Sequence, residues 1–440
     1  MKKLSEFRQF IDPTRWPHRD LVWPAFAWFF CILCGYYIIR PVRETMGVAL
    51  GKDSLNWLFL ATFVAMLFAV PIYSACVARL PRKRLIAVVY HFFALTLLAF
   101  YWLFQTESVE MRKWVASGFF IWVGVFSLYA TSVFWSVLAD VFSSPHAKRA
   151  FGFIAAGGTL GAIVGSLVAS FLSQRLATHT LLLLPVVLLE VGLGFAAYLQ
   201  RRAVFYATSN SEGENGAQKE QVGAPTGGGV VDGVVHVARS PYLLAICLSL
   251  FLGQLCGTQI YMQQAAIVGE AIPDEAGRTK LFADMNLGVQ ILTLVLQTSV
   301  AGLLTRKLGL SIALAATPIA YTFAFATLGV SPSLAVFVIA DVIRRGLTYG
   351  VMVPAREILF TVLSRDDKYK SKGFIDTVIL RGGDAMSSQL LAGANFLLAA
   401  PGIIQIIMVV IGGLWAAISL KLASWQRTLV ANTPSEEQVR

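Results

Sequence analysis

The sequence predicts an all-α integral membrane protein with twelve transmembrane helices in two six-helix halves. Three observations carry this prediction. Hydrophobic residues make up 56% of the 440 positions and charged residues 14%, where a soluble chain carries roughly 25% charged residues. The mean hydropathy of +0.66 spreads this apolar excess over the whole chain. More apolar surface results than one core can bury, so the solvent is lipid. The second observation is a series of apolar runs near the length of about 20 residues that a helix needs to span a bilayer. The third is the distribution of Lys and Arg, which gather on alternate sides of those runs.

In chain order the runs lie near 21–46, 54–78, 84–105, 113–141, 150–173, 180–200, 241–270, 279–305, 310–329, 332–361, 373–398 and 401–423. Backbone polar groups in lipid must be satisfied within the segment, so these are helices. The alternating pattern of a membrane β-barrel is absent. With both termini inside, the inside segments carry 24 Lys and Arg and the outside loops six, and the remaining six lie within spans. That bias fits the positive-inside rule. The expected location is a bacterial cytoplasmic membrane.

The first twenty residues do not resemble a signal peptide. Lys2 and Lys3 are basic, but no apolar core follows before Leu21. Between the sixth and seventh spans, Ser209 to Gly233 holds seven glycines and few large apolar residues, the composition of a flexible linker. The expected organisation is therefore an N-terminal half over 1–200, a cytoplasmic linker over 201–240, a C-terminal half over 241–425 and a tail over 426–440.

The halves carry matching segments. S-A-C-V-A-R-L-P-R-K-R from Ser74 and G-L-L-T-R-K-L-G-L from Gly302 each leave a span through a small residue, with a basic residue five positions later. A-K-R-A-F-G-F-I over 147–154 and Y-K-S-K-G-F-I over 369–375 match Gly152 to Gly373 and Phe153 to Phe374. Their offsets of 228 and 221 fit a parallel duplication. Duplicated six-helix halves joined by a long linker resemble the major facilitator superfamily, whose loop signature is G-x-L-A-D-R-x-G-R-R. Here Ala78 replaces the signature Asp and Pro81 its second Gly, while Arg79, Arg82 and Lys83 fit. The second copy has Arg306 at the acidic position. A latch built on an Asp–Arg pair must be made differently in this chain.

Composition and motifs exclude several functions. The Lys and Arg form no basic face with interleaved aromatics, so nucleic acid is not a partner. The five cysteines lie in apolar stretches and read as small packing residues, Cys31 and Cys34 included. The five histidines contain no H-E-x-x-H, and G-V-A-L-G-K-D from Gly47 falls short of a phosphate-binding loop. The chain is expected to be no enzyme, to hold no cofactor or metal, and to act as a monomer on a small anionic solute within the lipid bilayer. Gly157, Gly161 and Gly165 stand four apart in the fifth span and read as a close-packing face.

Charge inside the membrane is the functional signal, because an Arg at a helix centre costs about 2.5–3.5 kcal/mol even on insertion scales. The first span carries Arg40, Pro41, Arg43 and Glu44, the two arginines on one face unless the helix ends at Ile39. The tenth carries Arg344, Arg345, Tyr349, Pro354, Arg356 and Glu357. The spacing of Arg345, Tyr349 and Arg356 by four and seven puts them on one α-helical face. The eleventh carries Asp376, Arg381 and Asp384, with Arg381 and Asp384 spaced for an ion pair within the helix, and Asp376 and Asp384 about 80° apart. Arginine presents a planar fork of donors suited to phosphate or carboxylate. Arg40, Arg43, Arg345, Arg356 and Arg381 are the expected anion contacts, and Trp135 and Tyr349 the expected stacking surfaces for a base or ring. Glu44, Asp341, Glu357, Asp376 and Asp384 are expected to form ion pairs or carry protons.

Three stretches resemble the nonmitochondrial ATP/ADP translocases, the nucleotide transporters of plastids and intracellular bacteria. R-P-V-R-E is similar to the family's R-D-x-K-D, placing Arg40, Arg43 and Glu44 on its Arg, Lys and Asp. F-W-S-V-L-A-D-V-F-S-S with A-K-R-A-F-G-F-I-A-A-G-G-T-L-G resembles the stretch around the fourth span. R-E-I-L-F-T-V-L and K-Y-K-S-K-G-F-I-D-T-V-I-L-R-G-G-D resemble K-E-x-x-Y-x-P-L, K-x-K-x-K-x-x-I-D and R-x-G-K, placing Arg356, Glu357, Asp376 and Arg381 on family positions. The resemblance implies a secondary transporter working by alternating access, with its site at mid-membrane between 1–200 and 241–425. Asp384 stands where the family has Lys, and Phe360 and Val362 replace its Tyr and Pro. One cation fewer and one anion more weaken the attraction for a nucleotide. A nucleotide and a smaller organic anion or zwitterion moved with protons both remain open as cargo. A membrane-embedded enzyme or sensor is the remote third reading.

Overall fold

The computed structural model describes residues 19–142, 147–211, 237, 240–300, 309–363, 375–398 and 401–432. Among these every regular element is helical. The helices are α1 (Arg19–Leu50), α2 (Lys52–Arg79), α3 (Arg82–Leu103), α4 (Val109–Val141), α5 (Ala147–Ser173) and α6 (Leu183–Ser211). They continue with α7 (Pro241–Ala271), α8 (Glu275–Val295), α9 (Gly309–Val330), α10 (Leu334–Leu347), α11 (Val353–Leu359), α12 (Gly383–Leu398) and α13 (Pro401–Asn432). Ten of the helices among the described residues are long and apolar enough to cross a membrane. The stretches predicted as the tenth and eleventh spans are not among them. A π turn, Thr348–Met352, separates α10 from α11, and a π helix, Ile375–Gly382, precedes α12. These same stretches carry the charges that lower their hydropathy.

Local chemistry fixes the boundaries. Ser108, Ser240 and Ser333 each accept a hydrogen bond from a backbone N–H three residues on, capping α4, α7 and α10. Gly51 joins α1 to α2 at φ +81°, a backbone shape that other residues adopt only with strain. The alternative in which the first span ends at Ile39 does not occur: α1 runs through Pro41 to Leu50. The Gly302, Arg306 and Lys307 segment lies outside the described residues, as do residues 369–374 and most of the 201–240 linker.

The chain forms two compact units. The first comprises Met1–Gly47, Val64–Val222 and Asp274–Leu287. Its core holds Trp28, Tyr90, Phe93, Phe119, Phe120, Phe126 and Phe134, all fully buried. The α5 glycines lie directly on α1. A Cβ on Gly161 would stand 2.4 Å from the Phe30 carbonyl oxygen, and one on Gly165 2.4 Å from that of Cys34. Only glycine permits this approach, so the repeat at 157, 161 and 165 seats α1. Residues 274–287 are held to this unit by polar contacts. Thr45 and Thr279 share a hydroxyl hydrogen bond of 2.9 Å, Arg112 pairs with Glu275 at 2.6 Å, and Ser170 donates to Asp284. Arg82, from the degraded loop signature, pairs with Asp140 at the end of α4 at 2.7 Å.

The second unit comprises Val48–Phe63, Gly223–Pro273 and Gly288–Arg440. Phe325, Phe337 and Phe360 are fully buried there. Tyr321 on α9 meets Trp415 on α13 at 5.4 Å, and the Trp415 indole N–H donates to Ser249 on α7 at 3.0 Å. Gly412 and Gly253 give room for these contacts: a Cβ on the first would meet Thr322 at 2.5 Å and on the second Trp415 at 2.9 Å.

Candidate functional site

In the first unit the site residues stand on α1, positioned by the glycine face of α5. Arg43 is three-way held. Its Nε donates to the Phe120 carbonyl at 3.3 Å, its guanidinium lies 3.9 Å from the Phe120 ring centre, and its Nη1 pairs with Glu44 at 3.3 Å. A cation over an aromatic face is worth about 0.5–2 kcal/mol. These contacts fix the direction of the guanidinium fork. Arg40, one turn earlier, places its guanidinium 5.7 Å from the Tyr37 ring centre. Glu44 is buried. Trp135 on α4 is half-exposed, with its ring against Phe29, Phe134 and Phe151.

In the second unit a buried charge cluster forms on α10. Asp341 is 1% exposed. One carboxylate oxygen pairs with Arg344 and the other with Arg345 Nη1 at 3.3 Å. Arg344 also donates to the Tyr321 hydroxyl at 2.7 Å. Two cations share one acid, which repays part of the desolvation cost of burying them. The side chain of Arg344 is 9% exposed and that of Arg345 14%. Tyr321 is a partner that sequence reasoning missed. It lies 23 positions from Arg344 on another helix, and no local signal links the two.

The π turn changes the expected geometry. It adds a residue to the helical turn, so the α-helical spacing that put Arg345, Tyr349 and Arg356 on one face does not carry across Thr348–Met352. Gly350 makes room for the turn, since a Cβ there would stand 2.8 Å from Leu296. Tyr349 is half-exposed on it. Arg356 on α11 pairs with Glu357 at 3.7 Å, a loose contact, and reaches a small pocket lined by Ile246, Ser249, Leu250, Met352 and Ser419. The buried Ser419 hydroxyl has no hydrogen-bond partner there among the described residues.

The 80° separation of Asp376 and Asp384 likewise assumed an α-helix, and residues 375–382 are a π helix instead. The side chains of Asp376 and Arg381 lie outside the described residues. Asp384 is held by Gln254 on α7, whose amide donates to its carboxylate at 2.8 Å and to the Leu380 carbonyl at 2.8 Å. Gln254 was missed because attention went to charge. The signal was present as an uncommon run of amides, Gln254, Gln259, Gln263 and Gln264, in an apolar span. Gln259 of that run and the adjacent Thr258 are buried, with side-chain oxygens that lack a hydrogen-bond partner among the described residues.

Comparison with known proteins agrees with this architecture. Residues 25–368 match the Major Facilitator Superfamily. The ADP,ATP carrier protein 1 of Chlamydia pneumoniae is 21% identical, over 99% of this chain and 96% of its own length. Its namesake from Chlamydia muridarum is 19% identical, over 99% and 94%. Among solved structures, a bacterial homologue of the iron transporter ferroportin in an inward-facing state superposes with TM-score 0.65 at 13% identity, over 93% of this chain and 100% of its own. The nucleoside transporter NupG gives 0.59 at 16%, over 93% and 99%.

Proposed function

The chain belongs to the Major Facilitator Superfamily, so it is a multi-pass membrane transporter and not an enzyme, and on that premise we propose that it moves a small organic anion by alternating access. A nucleotide is the first candidate cargo. Arg40, Arg43, Arg345, Arg356 and Arg381 are its anion contacts, with Trp135 and Tyr349 as ring surfaces. The observation that carries this reading is the state of Arg43. Its fork is oriented by a carbonyl and a ring, and its acidic partner is its own neighbour at 3.3 Å. A guanidinium held in one direction presents its planar fork to a cargo phosphate or carboxylate. Similarity to ADP,ATP carriers over nearly the whole chain supports a nucleotide.

In this reading the chain crosses a bacterial cytoplasmic membrane twelve times with both ends inside, the tenth and eleventh passages as broken helices. From 334 to 359 and from 375 to 398 the helical path spans roughly 39 and 36 Å at 1.5 Å per residue, enough for a core of about 30 Å. The 1–200 and 241–425 segments form the duplicated halves.

The second reading is a proton-coupled carrier of a smaller organic anion. Asp384, at a family Lys position and held by a neutral amide, favours it. Uptake into proteoliposomes separates the two. If the cargo is a nucleotide, labelled ADP exchanges independently of pH, and Asp384→Lys tightens its binding. If it is a smaller anion, a pH gradient drives accumulation that Asp384→Asn abolishes while counterflow persists. Absence of ADP exchange in the wild type overturns the nucleotide reading.

A further inference from the structure

Outside the site, an ionisable pair lies on the outer face of the first unit. His91 on α3 donates through Nδ1 to the Glu190 carboxylate on α6 at 2.9 Å. The two side chains are 53% and 44% exposed. Both lie deep in their spans. His91 is nine residues, roughly 14 Å, from Arg82, and Glu190 eleven residues, roughly 16 Å, from Arg201. Each is therefore near the middle of a hydrocarbon core of about 30 Å. Their neighbours make this face apolar: Val88, Phe92, Leu95, Val187 and Val191 are all exposed around them. Ionisable groups in spanning segments almost always face the protein interior, and here two face out.

One turn beyond Glu190, Gly194 leaves a notch in the same face, for a Cβ there would meet nothing within 4 Å. Small residues are where spanning helices approach closely. A patch with one donor and one acceptor side by side is complementary to itself under two-fold rotation: His91 of one copy meets Glu190 of the other, and the reverse. We propose that this face of α3 and α6 seats a second copy of the chain within the bilayer. The pair is then covered by its own counterpart, and the Gly194 notches let the α6 helices close up. The proposal replaces the monomer expected from the sequence and does not depend on what the transporter carries.

Counting copies by single-molecule photobleaching of the full chain in liposomes, at falling protein density, tests it. Wild type is expected to bleach mainly in two steps. Gly194→Leu touches nothing in its own chain, so the fold is retained, yet it fills the notch and lowers the two-step fraction at least tenfold. His91→Leu with Glu190→Leu makes the face wholly apolar and has the same effect, while the exchange His91→Glu with Glu190→His keeps the pair and the dimers. One-step bleaching of the wild type at every density, as lipid or a foreign protein on this face would give, overturns the proposal. Dimers undiminished in the Gly194→Leu and double-leucine variants overturn it equally.

Discussion

Arg43 in the first unit and Arg344 in the second are both arginines within apolar helices, and their surroundings differ in kind. Arg344 is sealed. Its acid is 1% exposed, its second partner is a tyrosine hydroxyl, and Asp341 also binds Arg345. Arg43 is steered by a ring and a carbonyl and pairs with Glu44, its neighbour in sequence. The first arrangement buries one acid between two cations and ties α10 to α9. The second holds a cation in one direction through an aromatic ring and a backbone carbonyl. Charge within a span is thus no guide to role until its partners are known.

Removing the sealed acid gives the largest effect. Asp341→Ala leaves two buried guanidiniums without their carboxylate, a loss of about 3–5 kcal/mol by analogy with broken buried pairs. Thermal unfolding in detergent should show a large fall in Tm and reduced membrane yield. Changing Arg344 to Met in the same chain should recover part of it. A Tm unchanged in Asp341→Ala would remove the structural half of the comparison.

Gly161→Val ranks second. Its Cβ cannot occupy a position 2.4 Å from the Phe30 carbonyl oxygen, so α1 must move and carry Arg40 and Arg43 with it. Overpacking of this kind costs about 1–3 kcal/mol. Transport and Tm should fall together, which distinguishes a displaced helix from a lost cargo contact.

Arg43→Ala sharpens the contrast from the other side. The structural cost is small, about 0.5–2 kcal/mol for the lost ring contact, but transport should drop at least a hundredfold. Arg356→Ala should behave alike. Wild-type uptake in either would reduce it to an ion-pair partner of its neighbouring acid. The smallest effect belongs to Arg82→Ala. Its pair with Asp140 is more than a third exposed, and such pairs contribute about 0–1 kcal/mol. Tm should hardly move.

Much of the fold was legible because lipid imposes a simple rule: a run of about 20 apolar residues must be helical. The glycine face of α5 was legible for the same reason, as a four-residue spacing with one physical use. What escaped was contact across helices and local winding. Tyr321 reads as one more aromatic until its hydroxyl is seen accepting a hydrogen bond from Arg344. The π turn at Thr348–Met352 has no period of its own in the sequence, and it undid a face computed for a straight helix. Gln254 was passed over because an amide carries no charge, although burying it in lipid without a partner costs free energy as burying an ion does, on a smaller scale. Residues 48–63 and 274–287 group with units other than those their place in the chain suggests. Hydropathy is blind to such grouping, since it registers lipid compatibility and not neighbours.

The central claim is that Arg43 is held for an anion and Arg344 for the fold. Its most direct test is a thermal-shift titration of wild type and Arg43→Ala in one detergent, with ADP and with smaller organic anions. The account predicts closely similar Tm values without ligand, a rise of several degrees in the wild type at saturating cargo, and none in Arg43→Ala. An equal rise in both proteins would contradict it.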